Sequence, residues 1–185
     1  MTTLELVRFN ALRNAMYHTG RRMAYERWNR FFNFLVVILG TAATGGIITW
    51  IGVDPIWPAG AVAAVGAAQL VFDFGRSARD HQALQKEYYN LLADVEAVIE
   101  PTDDQLATWN SRMVRIAGDE PPTLRALDAK AYNDACDALE FDRDERLKVP
   151  WLHWALGSWI AFDGHTYLKL NELPGYKRPA EITAN

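Results

Sequence analysis

The sequence predicts an all-α membrane protein with a two-helix transmembrane hairpin, a cytoplasmic helical stalk and short C-terminal helices. Residues 31–51 and 56–72 contain no charged side chain, and the stretch "VDPIWP" at their junction predicts a tight turn with two prolines. A helix of roughly 20 apolar residues crosses the hydrocarbon core of a bilayer, which is about 30 Å thick. The alternative is a buried helical pair, but 185 residues can hardly enclose two helices that are apolar on all sides.

Basic residues at the outer ends of the two apolar runs predict the orientation of the hairpin. The turn carries only Asp54, whereas the outer flanks carry Arg8, Arg13, Arg21, Arg22, Arg27, Arg30, Arg76, Arg79 and Lys86. Because Lys and Arg remain on the cytoplasmic side, we expect spans at about 31–51 and 56–74 in a bacterial inner membrane, with both termini cytoplasmic. The predicted membrane-interface anchors are Trp28, Arg30, Trp50, Trp57 and Arg76.

Apolar residues recur at helical spacing on both sides of the hairpin. The N-terminal set is Leu4, Val7, Ala11, Ala15 and Met16, and the set after the second span is Leu84, Tyr88, Leu91, Val95 and Val98. We expect these two stripes to pack together as a stalk, so that residues 1–100 form one region. In the alternative, the N-terminal segment lies as a basic helix on anionic lipid.

Residues 101–185 predict a second, cytoplasmic helical region. Thr102 followed by two aspartates is typical of a helix start, Gly118 predicts the end of that helix, and Thr123 is the expected cap of the next one. The segment 149–162 is apolar, contains three tryptophans and is too short to span a bilayer. Two alternatives are open for it: a core helix, or a segment at the inner membrane interface.

Small residues at four-residue spacing in both spans predict close helix packing and a homo-oligomer. The predicted packing positions are Gly40, Thr44, Gly46, Ala63, Gly66 and Ala67. Gln69 and Asp73 are the polar groups that could line a pathway through such an oligomer. Asp73 has an equally favoured alternative, which is pairing with Arg76 or Arg30 at the membrane interface.

Residue types that carry catalysis or bind metals are scattered along the chain. Cys136 is the single cysteine, the four histidines have no metal-ligand spacing, and neither a phosphate loop nor a zinc motif occurs. The net charge is −4, and no basic face is interleaved with aromatic residues, so nucleic-acid binding has little support. We therefore expect a protein that is not an enzyme, with no cofactor and no metal, whose main partner is the lipid bilayer.

The order of these features along the chain resembles that of a known protein family. An arginine- and aromatic-rich helix, a first span, a tight turn and a Gly/Ala-rich second span leading into "QALQKEYYNLLADVE" resemble the SLATT superfamily of small bacterial two-span proteins. The segment "RMVRIAGDEPPTLRALDAKAYNDA" is similar to the cytoplasmic tail of two-span proteins that prophages carry. The resemblance covers roughly residues 8–140 and excludes the Trp-rich segment.

The resemblance implies a function. SLATT proteins are found beside nucleotide-signalling and other conflict systems and are thought to form pores or perturb the membrane once an upstream sensor is triggered. The first hypothesis is therefore a pore-forming effector in antiphage defence or a phage conflict system, with a sensor or nucleotide-signalling protein as partner. The alternative is a membrane anchor, adaptor or structural subunit that docks a partner through its cytoplasmic helices.

Overall fold

The computed structural model describes residues 3–44, 52, 54 and 56–176, and the side chains of residues 42–44 lie outside the description. The elements are α1 (Leu4–Thr44), α2 (Ile56–Phe72), α3 (Phe74–Glu96), α4 (Asp103–Gly118), α5 (Arg125–Ala138) and α6 (Trp151–Leu156), with 3-10 turns at Arg143–Glu145 and Leu170–Glu172. Over these residues the only extended pairing is an isolated bridge between Leu147 and Lys169. The all-helical fold class is therefore confirmed.

The chain divides into two compact units. Residues 1–20 and 82–185 form one, called here the bundle unit, and residues 21–81 form the other, called the apolar unit. The boundary at residue 100 that the sequence predicts stays a prediction. Within the bundle unit, the N-terminal segment and the segment after residue 82 share a core with the C-terminal helices.

The core of the bundle unit contains the two predicted stripes. Val7, Ala11 and Ala15 of α1 are buried in one cluster with Tyr88, Leu91 and Val95 of α3 and with Trp109 and Ile116 of α4. Because protein side chains cover the N-terminal stripe, the alternative in which it lies on lipid is wrong. The packing expected of the stalk is confirmed, and α4 joins it with its own apolar face.

Helix α5 packs on the first part of α1 through two smaller clusters. Phe9 is buried with Ala135 and Cys136, and Tyr17 is buried with Leu127 and Ala131. A bidentate pair between Arg13 and Asp128 joins the same two helices. These contacts make the bundle unit a packed helical domain with its own core.

The two predicted helix starts have different outcomes. Thr102 is the N-cap of α4, as predicted, and its side chain also forms a reciprocal capping box with that of Gln105, which was not predicted. Thr123 is not the cap of α5, because Leu124 occupies the N-cap position and makes no side-chain capping bond. The start of α5 is held instead by the Leu124 backbone N–H, which donates to the Tyr17 hydroxyl at 3.0 Å.

The segment after α5 is tied to that helix by backbone contacts. The Asn133 carboxamide donates to the Leu147 carbonyl at 2.9 Å and accepts from the Leu147 N–H at 2.7 Å. Lys169 then forms an ion pair with Glu145 at 2.5 Å. These bonds fix the position from which α6 begins.

Candidate membrane-spanning segments

The apolar unit exposes its large apolar side chains. Leu70 is 84% exposed and Val71 79% exposed, and the same holds to a lesser degree for Phe34, Val37, Ile56 and Phe72. In the part of the chain that the structure describes, one continuous helical stretch, Ile56–Glu96, is long and apolar enough to cross a membrane. Its most apolar window is only 6% buried, whereas a core helix of a soluble protein would be mostly covered.

The predicted first span, about 31–51, lies partly outside the described residues. Its beginning is the end of α1, which runs without interruption to Thr44. Thr44 has a helical backbone and no described side chain, and Gly46 and Trp50 lie outside the described residues. Their predicted roles in helix packing and interface anchoring stay predictions.

Gln69 has a partner on the neighbouring helix. Its Nε2 donates a hydrogen bond to Oδ1 of Asn33 at 2.8 Å, which joins α2 to α1 within the apolar unit. Gln69 was expected to line a pathway, and Asn33 was not among the predicted site residues. The sequence contains a feature that could have identified Asn33, because it is the one carboxamide in the first apolar run. An amide pair of this kind is worth about 1 kcal/mol between helices in lipid.

Asp73 lies between α2 and α3 and acts as a helix cap. Its Oδ1 accepts a hydrogen bond from the Arg76 backbone N–H at 3.0 Å. Its backbone has a φ of 35°, the left-handed region that Asp tolerates better than most residues. Arg76 was one of the two alternative partners expected for Asp73, and the hydrogen bond is with the main chain of Arg76.

The charged anchors make local pairs on their own helices. Arg76 Nε lies 3.9 Å from Asp80 Oδ2, and Arg30 Nη2 lies 3.5 Å from Glu26 Oε2. Both arginines are largely exposed. Exposed pairs of this type contribute little to stability, so these guanidinium groups are available to an anionic surface at small cost.

Aromatic rings gather where α2 passes into α3. Phe74 lies 5.2 Å from Phe32, 6.4 Å from Trp28 and 5.6 Å from Phe72, measured between ring centroids. Tyr25 stacks on buried His81 at 5.6 Å. Trp28 was predicted as an interface anchor, and Phe32 and Phe74 were missed. Such rings collect at the headgroup level of membrane proteins.

Several small residues of α2 are exposed in the single chain. Ala63 and Ala67 are exposed, together with Ala59 one turn earlier. A Cβ placed on Gly40 or Gly66 would meet nothing within 4 Å. Trp57, the predicted anchor at the other end of α2, is also exposed. The exposed stripe Ala59–Ala63–Ala67 therefore offers a surface on which another helix could approach closely.

Reactive groups of the bundle unit are held in structural contacts. Cys136 is buried, and burial raises the pKa of its thiol, so it remains protonated at neutral pH. His18 is fully buried with its Nε2 3.1 Å from Glu120, whose carboxylate also accepts from Tyr88. Among the residues described, no three His, Cys, Asp or Glu side chains are grouped to hold a metal ion.

The chain matches no family model, no curated protein and no solved structure.

Proposed function

We propose that this chain is an integral membrane protein whose two apolar segments form a membrane hairpin, with both termini cytoplasmic. The exposed apolar surface of the apolar unit carries the proposal. Removing a Leu, Ile or Phe side chain from water is worth about 1.5–3 kcal/mol, and this unit exposes several of them together. Monomers in water rarely tolerate a continuous patch of this kind, and the acyl chains of a bilayer cover it at no cost.

We further propose that several copies assemble and perturb the inner membrane as a pore-forming effector. Two helices cannot enclose an aqueous path, so copies must surround an axis. The exposed Ala59–Ala63–Ala67 stripe supports this assembly because small side chains allow helices to approach closely in lipid. The resemblance to SLATT proteins is the basis for the proposed trigger. This trigger is an upstream sensor or nucleotide-signalling partner in a conflict system.

The second candidate function is a membrane anchor or adaptor. One observation favours it: both proposed pathway groups have partners inside the chain, Gln69 on Asn33 and Asp73 on the Arg76 N–H. A hairpin whose polar groups are hydrogen-bonded within the chain can act as a membrane anchor without a pore. The packed bundle unit is then the platform on which a partner protein docks.

Membrane potential separates the two candidates. Cells expressing the full chain, with a potential-sensitive dye, should depolarise if the protein is an effector. Ala63→Leu places bulk on the small-residue stripe and should abolish depolarisation, whereas Ala63→Ser keeps the stripe narrow and should preserve it. An intact potential under every trigger tested, with a stable partner bound to the bundle unit, would establish the anchor function instead.

A further inference from the structure

The two tryptophans of helix α6 are largely exposed. Trp151 is 79% exposed and Trp154 61% exposed, and no residue of α6 is buried. The alternative that segment 149–162 is a core helix is therefore wrong. The segment contacts α5 just after the end of α6. A Cβ added to Gly157 would lie 2.8 Å from the Cβ of Ala126.

A cationic pocket lies beside the exposed tryptophans. The cavity has a volume of about 290 Å³ and is lined by Lys130, Arg143 and Arg146 together with Trp154. The ammonium of Lys130 lies 4.5 Å from the centroid of the Trp154 ring. The pocket and the helix therefore share one residue and form a continuous surface of the bundle unit.

The charge balance of the pocket favours an anion. Asp134 also lines the pocket, and its carboxylate opposes an incoming negative group. Arg146 is engaged by Asp137 at 3.3 Å. The lining therefore holds three cations, Lys130, Arg143 and Arg146, against the one carboxylate of Asp134.

We propose that Trp151, Trp154 and the cationic pocket form a membrane-binding face that holds the phosphate of an anionic phospholipid. Indole rings prefer the headgroup level of a bilayer, and Lys and Arg near the surface attract anionic lipids. A soluble phosphate compound would satisfy the cations but leave both tryptophans in water, so a lipid is the source that fits the whole surface.

This face deepens the proposed function, since it rests on the chain being anchored in a membrane. Three cations and two tryptophans alone give weak, reversible lipid binding. The bundle unit is joined by the chain to a segment that can span the bilayer, so binding of the face is an intramolecular event at high effective concentration. Weak lipid binding by this face is then enough to hold α6 on the membrane surface.

A fluorescent reporter on α6 of the full chain tests the proposal. Leu152→Cys places a nitrobenzoxadiazole label between the two tryptophans, and Ile99→Cys places it on a side chain of the bundle unit that is 90% exposed. The buried Cys136 thiol does not compete for the label. Each labelled chain is reconstituted in phosphatidylcholine vesicles with and without phosphatidylglycerol.

In vesicles containing phosphatidylglycerol, the label at position 152 should emit at shorter wavelength and lose quenching by iodide, while the label at 99 stays as in water. Trp151→Ser with Trp154→Ser should abolish the shift. Arg143→Glu should lower the bound fraction at least about fivefold. Arg115→Glu makes the same change of charge at an exposed position of α4. It should have no effect on binding, because Arg115 lies outside the pocket.

Three results would overturn the proposal: equal signals from positions 152 and 99, equal shifts in the two lipid mixtures, or displacement of the face by soluble glycerol phosphate. A shift that grows with protein density at fixed lipid would identify a second copy as the occupant and overturn it too. Extraction at alkaline pH is measured in parallel. A chain that resists extraction without a shift at 152 contradicts only this face, and a chain that is extracted but shows the shift contradicts only the hairpin.

Discussion

The carboxamide of Gln69 donates a hydrogen bond to the carboxamide of Asn33 at 2.8 Å, and this bond joins the two apolar helices of the chain. A hydrogen bond between two side chains requires a defined distance and direction, so this amide pair favours one register of α2 on α1. In lipid, neither group can turn to water when its partner is removed.

Replacing Gln69 tests this bond. Gln69→Leu should lower the free energy of unfolding in mixed micelles by about 1 kcal/mol, because Asn33 keeps an unsatisfied amide. The double variant Gln69→Leu with Asn33→Leu removes both polar groups and should recover most of that loss. Denaturation by sodium dodecyl sulfate, followed by circular dichroism, measures both. Equal losses in the single and double variants would show that the pair does not couple the helices.

Asp73 has two properties that substitutions separate: it caps α3 and it adopts a φ of 35°. Asp73→Asn keeps an acceptor and tolerates this backbone, so its stability should stay within about 0.5 kcal/mol of the wild type. Asp73→Ala loses both properties and should cost about 1–2 kcal/mol. Asp73→Gly relieves the backbone but not the cap and should fall between them. The same unfolding assay ranks the three, and a neutral Asp73→Ala would refute the capping role.

Gly157 is required for its close approach to α5. A Cβ at this position would lie 2.5 Å from the His153 carbonyl oxygen and 2.8 Å from the Ala126 Cβ, so Gly157→Ala forces backbone to move. We expect a loss of about 1–3 kcal/mol, typical of overpacking. Gly118→Ala is the matched control, since its Cβ would meet nothing within 4 Å. If the two variants unfold alike in guanidinium, the proximity of α6 and α5 is not what holds the segment.

The sequence predicted helices well where the signal is local. The period of Val7, Ala11 and Ala15 and that of Tyr88, Leu91 and Val95 identified two buried faces, because a helix that packs on one side must repeat its apolar residues every three to four positions. The N-cap residue of α4, Thr102, was found for the same reason, because capping is complete within four neighbouring residues. The return bond from the Gln105 side chain was not predicted.

Contacts between distant residues were the ones missed. The start of α5 depends on Tyr17, more than a hundred residues away, and no local pattern records such a bond. Asn33 and Phe74 likewise gain their partners only when helices meet. The exposure of Trp151 and Trp154 could not be predicted either, since composition alone fits a core helix and an interfacial one equally.

Acid is expected to destabilise the loop that follows α6, because this loop contacts His153. His153 stacks on Phe162 with centroids 3.9 Å apart, and its Nδ1 lies 2.8 Å from the Tyr167 hydroxyl. Partial burial lowers the pKa of His153 below its usual 6.5, and the facing ring of His165 lowers it further. The folded state therefore holds the neutral ring, and the unfolded state takes up a proton first. This contribution to stability is full above pH 6.5 and declines as the pH falls from 6.5 toward the lowered pKa.

We expect the amide of His165, which donates to the Phe162 carbonyl at 3.2 Å, to exchange with solvent faster, relative to its intrinsic rate, at pH 5 than at pH 7. His153→Gln keeps a polar side chain without a proton to gain and should remove the pH dependence. His18→Gln, at a buried site in another part of the bundle unit, should leave that dependence in place. Hydrogen exchange followed by mass spectrometry measures all three chains, and an unchanged pH dependence in His153→Gln would assign the effect to another group.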